Sequence, residues 1–290
     1  MQRRHALFAL HLGALLFGLS GIFAKLAVAA PLVIVAGRAL FAVLALWPLS
    51  RFGEAAAALT NRQRLALAGT GLLLGGHWWS FFIAVKVSGV AVATLGFASF
   101  PAFTVLLEGL LFRERVRPSE WGVVALVSVG LVLVTPDFDL GSDATRGLVW
   151  AVLSGLLFAL VSVSNRATTR GVKPAQAALW QNLAILACCL PPSASVLLTI
   201  SAGAWLWIAL LGLLCTALAH SLFVSSLRVL NARSASVVFA LEPVYGIAFA
   251  WWLFAEQPGP RMFAGAALIL LATVLSARLS RHAPRPDEQS

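Results

Sequence analysis

Arg38, His77 and Glu242 are ionisable side chains set well inside long apolar runs of this 290-residue chain. Groups of that kind are costly to place away from water, so each is a candidate for binding or proton chemistry. Glu242 directly precedes Pro243, and Tyr245, the only tyrosine, falls three residues on, along the same helical face. Proline has no N–H, so the carbonyl of Phe239 would lose its helical partner and the helix would kink there. A carboxylate and a free carbonyl brought together suit a substrate ammonium or a proton. The purely structural alternative is a Glu held by a basic neighbour for folding alone.

His77 is followed by Trp78 and Trp79. Imidazole and indole at such a depth can line a cavity, stack on planar groups or face cations, although Trp79 fits a lipid-facing role equally well. His220 is a second imidazole candidate. Arg38 can clamp a carboxylate with two parallel hydrogen bonds, or it can snorkel or neutralise Glu242. Gln181 and Asn182 offer hydrogen bonds without charge. Ser154, Phe158, Ser162 and Asn165 follow one another at spacings of four, four and three, which makes one polar-edged helical stripe. A stripe like this lines a path or glues helices together.

Enzyme readings are weaker. Gly18-Leu19-Ser20-Gly21 spells the serine motif of rhomboid-type intramembrane proteases, with His77 or His220 as its base. Four residues in a chain rich in glycine and serine carry little weight, and the surrounding repeat accounts for them differently. The glycines from Gly71 to Gly76 have phosphate-loop spacing but end in His77 without a lysine. They read better as helix-packing positions. Cys188, Cys189 and Cys215 lack metal-ligand spacing and sit in apolar runs as small core residues. No metal or cofactor chemistry is implied.

The elements that must position these residues follow from composition. Apolar residues make up 60% of the chain, charged residues 11%, and the mean hydropathy is +0.91. Soluble domains carry about 25% charge to cover their surface. Lipid must therefore be the solvent. At about 20 apolar residues per helical crossing, ten spans fit: 6–25, 31–50, 65–86, 90–112, 119–135, 146–168, 174–196, 203–226, 232–254 and 261–279. The runs are unalternating and rich in Leu and Ala, unlike barrel strands.

The net charge of +10 does not point to nucleic acid, because the basic residues flank the spans and no basic face with interleaved aromatics exists outside them. With the N-terminus cytoplasmic, sixteen of the 21 Lys and Arg fall on the inner side and four (Lys25, Lys86, Arg146 and Arg261) on the outer. That bias places both termini inside, in a bacterial inner membrane. Arg3, Arg4 and Ala27-Val28-Ala29 imitate a signal peptide, but Lys25 sits badly for one and the stretch has a second copy downstream.

That copy is the most informative feature. Leu-Leu-Phe at 15–17, with Lys25 eight residues on, returns at 156–158 with Arg166 eight on. Pro31 maps to Pro174, Lys86 to Arg228, Phe97 and Pro101 to Phe239 and Pro243, and Glu114 to Glu256, all at shifts of 141 to 143. A five-span unit at 1–137 and its copy at 138–280, followed by a disordered tail at 281–290, are expected. Five is odd, so the copy enters the membrane upside down. Inverted repeats of this type recur in secondary transporters, with the substrate near the midplane between halves.

The chain resembles the drug/metabolite transporter superfamily, in its EamA-like branch, and within it the YddG-type amino-acid exporters. The likeness rests on Phe17-Gly18-x-Ser20 leading to Lys25, on Arg38, on the Ser99-Phe100-Pro101 and Glu242-Pro243 turns with Glu114 and Glu256 beyond them, and on His77-Trp78. Phe100 stands opposite Glu242 and Gln181 opposite Arg38, so the halves are chemically unequal. The resemblance implies an all-α, ten-helix exporter of amino acids and similar small metabolites. With the residues above, the expected cavity comprises Arg38, His77, Trp78, Asn165, Gln181, Glu242 and Tyr245, with Pro101 and Pro243 as hinges. Alternatives are a multidrug exporter of aromatic cations, centred on Glu242, and an intramembrane serine hydrolase. Partners would be the small solute, the bilayer and a coupling proton. Monomer and homodimer are both compatible.

Overall fold

The computed structural model describes residues 3–51, 59–111, 116–134, 139, 141–169, 171–226, 238 and 241–279. Arg113, Glu114, Arg115, Pro136, Arg228, Arg233, Phe239 and the expected tail at 281–290 lie outside the described residues. Among the described residues, every regular element is helical. The physical reason is that a helix satisfies its backbone within its own segment, which lipid cannot do for it.

The helices are α1 (Arg3–Leu26), α2 (Pro31–Arg51), α3 (Asn61–Phe97), α4 (Phe100–Leu111), α5 (Pro118–Val134), α6 (Asp143–Thr168) and α7 (Pro174–Leu197). They continue as α8 (Ala202–Gly212), a π turn (Leu213–Leu218), α9 (Ala219–Ser226), α10 (Glu242–Phe254) and α11 (Pro260–Leu279). Six described stretches are long and apolar enough to cross a membrane, and shorter apolar helices accompany them. Several starts are set by proline, whose missing N–H costs nothing in a first turn: Pro31, Pro118, Pro174 and Pro260. Others use side chains. Thr60 and Gln63 form a reciprocal capping box on α3, and Ser142 and Ser201 cap α6 and α8.

Three expected spans are built differently from the simple rods the hydropathy suggests. Span 90–112 is broken at Ala98–Ser99, and its first part is joined to α3 across Gly89 at φ 85°. Span 203–226 carries the π turn. Span 232–254 is described from Glu242, where α10 begins after a turn at Leu241. Pro101 and Pro243 thus stand in the first turns of α4 and α10, not as kinks inside unbroken helices.

The principal pairings come in sets related by exchanging the helices of the expected unit 1–137 for those of the expected unit 138–280. The helix α2 packs on α7 and α5 on α11; α3 packs on α6 as α1 does on α8 and α9; α4 packs on α6 as α10 does on α1. The close approaches follow the same exchange. A Cβ on Gly71 would lie 2.5 Å from the Gln181 carbonyl oxygen, and one on Gly212 would lie 2.7 Å from that of Arg38. Gly71→Ala must therefore push α3 from α7, and overpacking of this kind costs about 1–3 kcal/mol. A clear fall in the thermal midpoint in detergent is expected. Gly69→Ala, with nothing within 4 Å of its Cβ, is the control and should show no fall.

Candidate functional site

A cavity of about 440 Å³ lies between the two sets of helices, within the ~300–1,000 Å³ usual for small-molecule sites. One wall is aromatic. Phe97 and Phe100 stack at 5.3 Å between centroids, and Phe158 meets them edge-on at 5.4 and 5.2 Å. His77 joins them at 5.1 Å from Phe97 and 5.0 Å from Phe158. The polar part of the lining includes Ser20, Arg38, Asn165, Gln181, Asn182, Thr216, His220 and Glu242.

The His77 ring is held from α6. Its Nδ1 lies 2.7 Å from Ser154 Oγ and 3.2 Å from the Ser154 carbonyl oxygen. The Ser154 hydroxyl can accept from Nδ1–H or donate to a bare Nδ1, so Ser154 orients the ring in either tautomer, and Nε2 has no partner among the described residues. The α6 stripe thus divides its work. Ser154 is fully buried and ties α6 to α3, whereas Phe158, Ser162 and Asn165 line the cavity.

Arg38 is 4% exposed and oriented by two neighbours. Its Nε donates to Thr216 Oγ1 at 2.8 Å, and its guanidinium stacks 3.9 Å above the Trp78 ring. Thr216 in turn donates to the Leu211 carbonyl five residues back, a pattern that the π turn creates. Trp78 therefore shares its face with Arg38. The terminal guanidinium nitrogens have no protein hydrogen bond among the described residues. Gln181 donates from Nε2 to Asn165 Oδ1 at 2.7 Å, and Asn182 uses Nδ2 on the Ala178 carbonyl while its buried Oδ1 has no partner.

Glu242 sits in the first turn of α10, where the helix dipole favours a carboxylate. It makes no hydrogen bond or direct ion pair among the described residues; Arg38 acts on it through space without touching it. Tyr245, expected beside it, does not line the cavity. Its hydroxyl lies 3.2 Å from His11 Nδ1, and it packs against Ala6, Leu10 and Val238. One turn of helix separates Glu242 from Tyr245, but Glu242 opens the helix and faces inward while Tyr245 turns toward α1. Ser20 also lines the cavity, although His77 Nδ1 is engaged by Ser154 and not by Ser20. Thr216 and the Ser154 contact were not singled out from residue patterns as partners of Arg38 and His77. A hydroxyl one turn beyond Gly212 in an apolar helix was the trace of Thr216, and the polar-edged stripe of α6 was that of Ser154.

A model of the EamA-like transporter family matches the chain twice, over residues 4–135 and 145–278. A transporter of uncharacterised substrate from Archaeoglobus fulgidus is 25% identical over 199 residues, covering 69% of this chain and 71% of that protein. A protein named as an S-adenosylmethionine uptake transporter, from Rickettsia felis, is 25% identical over 211 residues, with 70% and 68% covered. One solved crystal structure shares the fold with a TM-score of 0.63 at 19% identity, over 98% of this chain and 100% of that one.

Proposed function

The chain belongs to the EamA-like transporter family, and from that premise we propose that it exports amino acids and related amphoteric metabolites across the bacterial inner membrane. The observation that carries this reading is that Arg38 and Glu242 line one cavity, close enough to attract each other but without a direct ion pair. Two opposite charges without a direct contact at membrane depth are costly, and a zwitterion placed between them contacts both at once. Its carboxylate meets the free guanidinium nitrogens, its ammonium meets Glu242, and its side chain rests on the Phe97–Phe100–Phe158 wall. Gln181, Asn165 and the Nε2 of His77 supply further hydrogen bonds.

Transport by alternating access is supported by the double family match and by the exchange of helix pairings between halves. With five crossings in each half, ten in all, the halves are inverted, and rocking between them opens the cavity to each side in turn. Pro101 and Pro243 stand at the breaks where each half bends. The charge bias of the connectors supports a cytoplasmic position for both termini. One observation favours a second reading, an aromatic-cation exporter: Glu242 faces the same cavity as the aromatic wall. Purified protein in liposomes, offered labelled neutral amino acids and organic cations with and without a pH gradient, separates the two. Saturable amino-acid flux that survives Ser20→Ala and fails in His77→Ala is expected. Flux of cations alone would establish the second reading in its place.

A further inference from the structure

Away from the cavity, the carboxylate of Glu256 gathers three donors from two separate elements. Lys25 Nζ of α1 lies 2.6 Å from Oε1. The backbone N–H of Val90 donates to Oε1 at 3.1 Å and that of Ala91 to Oε2 at 3.0 Å. Both oxygens are thus seated on the first amides of the helical stretch 90–97, at the positive end of its dipole. Gly89 makes this possible: its φ of 85° turns the two amides outward, and a Cβ there would lie 2.9 Å from the Glu256 carboxyl carbon. Lys25 also stands 4.3 Å from the Phe254 ring centroid. Lys86 closes the cluster by donating to the Ala27 carbonyl at 2.8 Å.

We propose that Glu256 is a latch that holds one mouth of the cavity shut, and that the mouth opens when its carboxylate leaves the amides of Val90 and Ala91. This rests on the alternating-access reading above. Each element that meets at the latch also lines the cavity: α1 through Gly18 and Ser20, the stretch 90–97 through Thr94 and Phe97, and α10 through Glu242. The 13-residue α10 therefore joins the cavity carboxylate at its first residue to the latch just past its last. Ala255, between α10 and Glu256, has φ 52° and is the one non-glycine residue with positive φ among the described residues. Strain placed directly beside a contact of this kind favours its release. A carboxylate on two amides and one lysine is strong enough to close the mouth and is undone by a single side-chain movement.

The test uses Thr94→Cys with the three native cysteines replaced by alanine, in oriented proteoliposomes. A membrane-impermeant maleimide is supplied from the Lys25 side or from the opposite side. Glu256→Gln is expected to speed labelling from the Lys25 side at least tenfold and to slow it from the other, and Lys25→Met to do so more weakly. Hydrogen exchange of amides 90–97 in the chain with its native cysteines gives a second reading, and should rise in Glu256→Gln and Glu256→Ala. Unchanged labelling and exchange, or labelling faster from both sides alike, would overturn the latch and leave a static buttress. Absence of solute flux in the parent protein would instead overturn the transport reading, and the sidedness of labelling would still report on the latch.

Discussion

Arg38→Lys is expected to abolish amino-acid flux as completely as Arg38→Ala, although it keeps the positive charge. The guanidinium is held by a 2.8 Å hydrogen bond from Nε to Thr216 and by its stack on Trp78, which together point its terminal nitrogens at the cavity. An ammonium has no planar face to lie on Trp78, and its three donors share one nitrogen, so engaging Thr216 leaves no separate pair of nitrogens fixed toward the cavity. Removing one partner of a buried, hydrogen-bonded charge pair costs about 2–5 kcal/mol, which is about 30-fold to 4,000-fold in affinity. Substrate binding to purified protein, with flux in liposomes, reads this directly. Retention of near-parental affinity in Arg38→Lys would show that a diffuse charge suffices and that Arg38 does not clamp a carboxylate.

Glu242→Gln is the complementary experiment and should change selectivity as well as rate. Loss of the carboxylate removes the ammonium partner, so affinity for a zwitterionic amino acid should fall by about 30-fold or more. The deaminated analogue, which keeps the carboxylate and side chain, should bind Glu242→Gln at least as well as it binds the parent. The parent repels that analogue, because its carboxylate would share the cavity with an unpaired Glu242. Competition of labelled amino acid by the two compounds measures the switch. Equal losses for both would mean that Glu242 shapes the start of α10, and that its charge does not read the solute.

Which polar side chains line the cavity was largely legible in the sequence, for a simple reason. In a chain with 11% charged residues, each ionisable group inside an apolar run stands out, and Arg38, His77, Gln181, Asn165 and Glu242 all line the one cavity described. The breaks were less legible. Hydropathy sees 90–112 as one span, because Ala98 and Ser99 are as compatible with a helix as with a turn, and only the packing of Gly155 against Phe97 and Phe100 shows where the chain gives way. Tyr245 fell elsewhere because residues three apart on a helix still point about 60° from one another, enough to turn Tyr245 from the cavity toward His11 of α1.

The amino-acid order by itself determined the lipid environment, the helical class, the duplicated pattern and the short set of polar side chains that could meet a solute, since each follows from composition or from a fixed spacing along the chain. Tertiary structure alone decided their partners. Arg38 meets Thr216 across 178 residues and Lys25 meets Glu256 across 231. Contacts so distant arise from how separate helices lie against one another, at a π turn and at a glycine of positive φ, and no local period encodes either.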